Sequence, residues 1–184
     1  MASLDSIQAL LKGQRGLPPI ERWHPELSGD IDIIIKADGR WIHEGGEIKR
    51  HELVKLFASI LRREDDGDYY LVTPVEKWRV QVEDLPLLIV DFELADNGLV
   101  AGDTPKIIVK TNVDSWFELC ANHPLSVETA PDTGEPSPSV LTFHGLAARV
   151  NRACFYRLVE LAEPVGEFLV LRAGGQTFVL GPSH

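Results

Sequence analysis

Ile31-Asp32-Ile33-Ile34-Ile35-Lys36-Ala37-Asp38-Gly39-Arg40-Trp41-Ile42-His43 reads as a β-hairpin, and it sets the class of the fold. Ile31, Ile33 and Ile35 fall on one face and Asp32 and Lys36 on the other, the period-two pattern of a half-buried strand. Asp38-Gly39 is a turn signal, and Trp41 to His43 returns as the partner strand before Gly45-Gly46 breaks it. The period then changes. From Ile48 to about Arg63, Leu53, Leu56, Phe57 and Ile60 make a helical stripe that Val54 and Leu61 widen. Glu64 to Asp68 is an acidic loop that ends this helix, and Tyr69–Thr73 and Trp78–Val82 form a hairpin around Pro74. Strands on both sides of one helix make an α+β unit.

Working outward, Ser3 to Lys12 is a short amphipathic helix with Leu4, Ile7, Leu10 and Leu11 on one face, ended by Gly13, Gly16, Pro18 and Pro19. Leu87 to Leu94 is a strand whose even side (Leu88, Val90, Phe92, Leu94) is apolar, while Asp91 and Glu93 share the odd side. Asn97-Gly98 is a turn, and Lys106–Thr111 with Trp116–Leu119 is a further hairpin. Pro131 to Pro138 is too rich in proline to be regular and reads as an exposed loop, followed by a strand from Val140 to Phe143. Asn151 to Ala162 is a second amphipathic helix, and Phe168–Arg172 and Thr177–Leu180 close the chain as a hairpin around Gly174-Gly175.

Three blocks recur in order. Ile33-Ile34-Ile35-Lys36 with Trp41 answers Ile107-Ile108-Val109-Lys110 with Trp116. Ile48-x-Arg50-x-x-Leu53 answers Val150-x-Arg152-x-x-Phe155, and Gly67-x-Tyr69-x-Leu71 answers Gly166-x-Phe168-x-Val170. The expected architecture is therefore α+β with two similar halves, each a mostly antiparallel small sheet packed with one helix, plus a short N-terminal helix. Residues 1–16 are the N-terminal helix and linker, 17–95 the first repeat, and 96–184 the second repeat with a Pro-rich insertion between Trp116 and Val150.

Composition bounds the partners. Apolar residues make up 44% of the 184 and charged residues 25%, enough for a core that needs neither disulfide nor metal. Lys and Arg number 18 against 28 Asp and Glu, a formal charge of -10, which disfavours nucleic acid and anionic membranes as partners. The N-terminus lacks the pattern of a signal peptide and no apolar run reaches membrane-spanning length, so the expected location is the cytoplasm. Cys120 and Cys154 sit in apolar surroundings and read as free thiols.

Several stretches together resemble the bacterial family called domain of unknown function 1285. They are Pro18-Pro19-Ile20-Glu21-x-Trp23-x-Pro25, Gly29-Asp30-Ile31-Asp32-Ile33, Asp38-Gly39-x-Trp41, Ile48-x-Arg50, and Tyr70-Leu71-Val72-Thr73-Pro74-x-Glu76-Lys77. Thr111-Asn112-Val113 and Phe155-Tyr156-x-Leu158-Val159 are similar to its C-terminal half. The resemblance covers nearly the whole chain and implies an α+β fold with two related halves. It implies no activity, substrate or catalytic residue.

Candidate chemistry is sparse. Arg50 and Arg152 occupy matching places at the starts of the two helices, where a cation opposes the helix dipole. Either a local carboxylate such as Glu44, Glu47 or Glu52 offsets this, or the two arginines hold an anionic ligand between the halves. Trp41 and Trp116 read as core, or as walls of a pocket. His43, Glu44, His51 and Glu52 could converge, yet no His-x-x-x-His pair supports a metal site. Asp91 and Glu93 are a carboxylate pair on one strand face. No phosphate loop, nucleophile elbow or Cys-x-x-Cys occurs, and no cofactor is implied.

The expected function is a non-enzymatic ligand-binding or regulatory signalling module, its ligand held between the halves by Arg50, Arg152, Trp41, Trp116 and His43. The expected partner is an anionic small molecule or a protein, a second copy of the chain included. Two alternatives stand beside it. One is a hydrolase-like enzyme using His43 with Glu44, or Asp91 with Glu93. The other is a structural or protein-interaction module using a sheet edge or the Pro-rich loop.

Overall fold

The computed structural model describes residues 4–12, 16–95 and 103–183. The chain divides into two compact units, the first comprising Met1–Pro86 with His144–Leu146, the second Leu87–Phe143 with Ala147–His184. The division falls ahead of residue 95, because the strand beginning at Leu87 pairs only within the second unit.

The first unit opens with α1 (Leu4–Leu11), which buries Ile7 and Leu11 while Leu10 stays exposed. A 3-10 turn (Ile20–Arg22) leads into β1 (Leu27–Ile35), β2 (Trp41–His43) and β3 (Gly46–Glu47). Then come α2 (His51–Ala58), β4 (Leu61–Arg63), β5 (Tyr69–Val72) and β6 (Lys77–Val82). The sheet order is β3-β2-β1-β6-β5-β4, antiparallel except for the central parallel pair β1–β6. The opening hairpin is as expected: Ile31, Ile33 and Ile35 are buried, and the Asp38 carboxylate accepts from the Arg40 amide at 3.1 Å to close the turn. Trp41 stacks on Phe57 of α2, with ring centroids 6.4 Å apart.

The helix is shorter than its stripe. It stops at Ser59, whose hydroxyl donates to the Leu56 carbonyl at 2.5 Å. Ile60 and Leu61 are still buried, but Leu61–Arg63 pair with Tyr69–Leu71 as a strand. A helical stripe and a buried strand cannot be separated over so few apolar residues. The acidic loop Glu64–Asp68 is consequently the turn between β4 and β5.

The second unit contains β7 (Leu87–Ala95), β8 (Lys106–Thr111), β9 (Trp116–Glu118), β10 (Leu125–Thr129), β11 (Pro136–Leu141) and β12 (Ala147–Val150). After these come α3 (Arg152–Glu160) and a three-stranded sheet of β13 (Glu163–Val165), β14 (Phe168–Ala173) and β15 (Gln176–Pro182). The six-stranded order is β10-β11-β12-β7-β8-β9, again with its first and sixth strands parallel at the centre. Both units therefore share one topology: third, second, first, sixth, fifth, fourth. The two similar halves are real, but their correspondence is not that of the sequence blocks. Topology matches β1 with β7 and β2 with β8, whereas the blocks matched β1–β2 with β8–β9. The supposed insertion between Trp116 and Val150 is β10–β12, half of the second sheet.

Two further readings are corrected. The Pro-rich loop is irregular only through Glu135; Pro136 and Pro138 belong to β11. They pair with Thr129 and Val127 of β10, while β12 pairing begins only at Ser139. Beyond that point a proline breaks no ladder on the open side. In β7 a register shift between Ile89 and Asp91 leaves Val90 as an extra residue. Leu87 and Ile89 point inward before this bulge and Phe92 after it, so Val90 and Leu94 are exposed. The Asn97-Gly98 turn lies outside the described residues.

The β14–β15 turn makes a test of packing. Gly174 has φ +57°, and a Cβ there would lie 2.2 Å from the Leu119 carbonyl oxygen, whereas Gly175 (φ +74°) has nothing within 4 Å. Gly175→Ala should cost ~1 kcal/mol, for the left-handed backbone alone. Gly174→Ala should cost ~2 kcal/mol or more, since backbone must move as well. Urea unfolding of both variants checks this, and equal losses would contradict the close approach.

Candidate functional site

The residues expected to form a site are dispersed in character. Arg50 is the extended residue ahead of α2 and is exposed. Arg152 opens α3, whose cap is Asn151 accepting from the Cys154 amide at 2.8 Å. Its guanidinium is 70% exposed and pairs with Glu135 at 3.2 Å. Trp41 is 1% exposed and belongs to the core, but Trp116 is 45% exposed, with Lys110 over its ring at 5.5 Å. The core reading thus holds for Trp41 and fails for Trp116, because β9 is an edge strand and Trp116 points away from the buried side that Phe117 fills. His43 lies 3.8 Å from Glu44, which stands in solvent. Asp91 is held by Arg157 at 2.7 Å, and Glu93 is exposed beyond the bulge. Burial pushes the Cys154 thiol up to about 11, so it stays protonated and unreactive.

A different place has the features of a site. In the first unit, an open concavity of about 550 Å³ is lined by Glu21, His24, Arg62, Arg63, Glu64, Asp65, Asp66 and His144. Arg62 organises it from β4, the edge strand. One of its terminal nitrogens donates to the carbonyls of Ile20 and Trp23, each at 2.9 Å, and the other to Glu64 at 2.6 Å. Glu64 takes Lys77 on its second oxygen, also at 2.6 Å. These side chains are only 13% (Arg62), 24% (Glu64) and 18% (Lys77) exposed, so this is a charge-assisted network with little competition from water. It ties the 3-10 turn to β4 and β6. Burial alone would raise the Glu64 pKa, but the hydrogen bonds from Lys77 and Arg62 outweigh it and hold the carboxyl below its ordinary range.

The acidic turn is largely committed as well. Asp66 accepts from the Asp68 amide at 2.9 Å and from the Tyr70 hydroxyl, which raises the tyrosine's pKa and lowers its own. Arg79 contacts Asp68 at 3.2 Å and Asp30 at 3.3 Å. On the other wall His144 sits in the left-handed region at φ +58°, and its carbonyl accepts from the Arg63 amide at 3.1 Å. The ring remains in part open to solvent, yet crowding by its neighbours pushes its pKa down, against Glu21 and together with Arg62. It is neutral at neutral pH.

Chemically the cavity offers two carboxyl groups (Glu21, Asp65) and two imidazoles (His24, His144), none with a side-chain hydrogen bond or ion pair among the described residues. No cluster of three or more His, Cys, Asp or Glu is placed to hold a metal among them. The second unit has a comparable concavity of about 530 Å³ beside Lys106, Glu118, Cys120 and Gly174. A smaller one of about 230 Å³ lies beside Leu11, Leu17 and Leu56. Arg50, Arg152, Trp41, Trp116 and His43 line none of the three. Arg62 carried a signal that sequence reading passed over: Arg62-Arg63-Glu64-Asp65-Asp66 puts both charges in one run, and assigning it to a helix end hid its place on an edge strand.

Comparison with known proteins places the chain. Residues 18–85 match the model of the "Domain of unknown function (DUF1285), N-terminal domain" and residues 86–180 that of the "Protein of unknown function (DUF1285), C-terminal domain". A crystal structure of a DUF1285 family protein from Silicibacter pomeroyi DSS-3 is 35% identical with a TM-score of 0.88, covering 100% of this chain and 97% of that one. Another, from Shewanella baltica OS155, is 36% identical with a TM-score of 0.54, covering 71% and 91%. No curated protein matches. No helix among the described residues is long and apolar enough to cross a membrane.

The network gives a pH-dependent prediction. The folded pKa of Glu64 lies below its unfolded value of about 4.3, so its stabilisation is present above that pH and is lost as pH falls through the folded value. Glu64→Gln should cost ~2 kcal/mol at neutral pH, less than a fully buried pair would. Urea titrations should show that loss shrinking as pH falls below about 4.3 and the wild-type carboxyl gains its proton. A loss that stays constant across this range would contradict the ionised network.

Proposed function

The chain belongs to the DUF1285 family, and from that premise we propose that it is a ligand-binding, regulatory module whose site is the cavity around Arg62 in the first unit. One observation carries the reading. A largely buried guanidinium commits its terminal donors to fixing the walls, and leaves Glu21, His24, Asp65 and His144 facing open space. Ordinary surfaces do not hold an arginine this way, because ordering the side chain and desolvating its charge are both costly. A rigid frame around a few convergent polar groups is the usual build of a small-molecule site, and about 550 Å³ falls within the usual range.

A regulatory role fits the chain's course. The segment His144–Leu146 packs in the first unit, yet in sequence it runs directly into β12 of the second sheet. A ligand fixing His144 therefore acts on backbone that leads into both. The pairs considered for catalysis give less support, since Asp91 is engaged by Arg157 and Glu44 is open to solvent.

A thermal-shift screen with small polar metabolites tests the reading. At about 100 times the Kd a ligand adds about 2.7 kcal/mol, an upward shift of roughly 5–10 °C for a protein of this size. The shift should fall in His24→Ala and in His144→Ala. A library that produces no shift, or shifts that both variants retain in full, would remove this site.

A further inference from the structure

We infer that the ligand of the first-unit cavity is a small organic cation, carrying an ammonium or amidinium group that Glu21 and Asp65 receive. The inference rests on reading that cavity as a ligand site, and it follows from which lining groups are already engaged. Arg62 has its terminal nitrogens on Ile20, Trp23 and Glu64. Arg63 lies over the Tyr69 ring at 5.9 Å and donates to the Gly67 carbonyl at 3.5 Å. Lys77, behind Glu64, is held by that carboxylate and by the Tyr70 ring at 4.7 Å. An anion entering here would have to displace the partners of Arg62 and Lys77, and would find only the exposed end of Arg63 as a cationic donor.

The acceptors are in the opposite condition. Of the four lining carboxylates, Glu64 and Asp66 are engaged, while Glu21 and Asp65 have no ion pair among the described residues. Two arginines face four carboxylates, so the fixed charges of the lining sum to a net negative, and His144 adds none at neutral pH. A neutral imidazole also presents one ring nitrogen as an acceptor. The chain's overall charge of -10 acts in the same direction, raising the local concentration of cations at its surface. An alkylammonium or guanidinium group matches this arrangement: it supplies several donors and one positive charge, and its short apolar stem tolerates an open, partly hydrated wall.

The same inventory gives the pH dependence. The groups facing His144 across the cavity are Glu21 of the 3-10 turn, His24 after it, Arg62 and Arg63 of β4, and Glu64, Asp65 and Asp66 of the following turn. Protonating His144 adds positive charge beside a positive ligand. Binding should therefore weaken as pH falls.

Isothermal titration of the full chain with agmatine and with putrescine, against citrate and inorganic phosphate, decides the matter. At about pH 8 at least one amine should bind and neither anion should, with affinity falling several-fold as pH drops well below 6.5 and His144 gains its proton. The double variant Glu21→Gln/Asp65→Asn should bind that amine at least ~10-fold more weakly. Neither side chain has a hydrogen bond or ion pair to lose among the described residues, so the variant should keep the wild-type circular dichroism and melting curve. Amine binding that the double variant retains would overturn the inference. Citrate or phosphate binding that strengthens in the double variant would overturn the cation class while leaving the cavity as the site. No binding by any probe, together with a featureless metabolite screen, would overturn both.

Discussion

Each six-stranded sheet is closed at its centre by parallel pairing of its first and sixth strands, and much else follows from that one constraint. Strands that follow each other can meet through short turns, but a parallel pair needs a long excursion between its members. Here the excursion consists of the other four strands, which run outward to one edge and return inward from the other. The fourth strand of each unit is therefore placed at an edge by topology. In the first unit that strand is β4, with only three residues. A free edge exposes backbone donors and acceptors that proteins must shield. The Arg63 amide on that edge is taken by the His144 carbonyl, while the neighbouring Arg62 reaches back to the 3-10 turn. The cavity is the space these two edge treatments leave between them.

Legibility in the sequence followed the length scale of the interaction. The β1–β2 hairpin was readable because Ile31, Ile33, Ile35 and the Asp38-Gly39 turn all act within a dozen residues of one another. So was α3, where Asn151 caps a stripe that Cys154, Phe155 and Leu158 bury. What failed depended on partners distant along the chain. Val90 reads as inward by simple alternation, and only its pairing with β8 reveals the bulge that reverses it. Pro136 and Pro138 read as loop, and only the late start of β12 pairing at Ser139 makes their strand tolerable. Leu61 extends a helical stripe by composition, and only Leu71 across the sheet makes it a strand.

The repeat shows the same division at larger scale. Apolar blocks around Ile33 and Ile107 look alike because both are buried strands followed by a tryptophan, and that similarity is local. Equivalence in the fold is set by pairing, which makes β7 the counterpart of β1. The two tryptophans differ accordingly, one lying over Phe57 in the core and the other standing at an edge. Site residues drawn from the blocks inherited the wrong correspondence. Arg62 stood outside them and was missed, though its need for a partner was visible: a cation followed closely by Glu64 on a strand shares a face with it.

The two sheets also show why scaffold and chemistry must be argued separately. By topology β10 is the counterpart of β4, and Leu125 is buried as Leu61 is. After Leu125 come Ser126 and Val127, where the first unit has Arg62 and Arg63. Neither can span to distant carbonyls or hold a carboxylate bidentately. The following turn closes by backbone alone, with the Ala130 amide on the Glu135 carbonyl and the Gly134 amide on the Ala130 carbonyl, each at 2.8 Å. The connection from third to fourth strand differs as well: α2 fills it in the first unit, and a short link bridged between Cys120 and His123 fills it in the second. One topology thus supports a polar network in one copy and a plain turn in the other. Strand order is conserved between the units because the central parallel pair demands it, whereas nothing in that demand fixes the side chains of the edge, and there the two copies part.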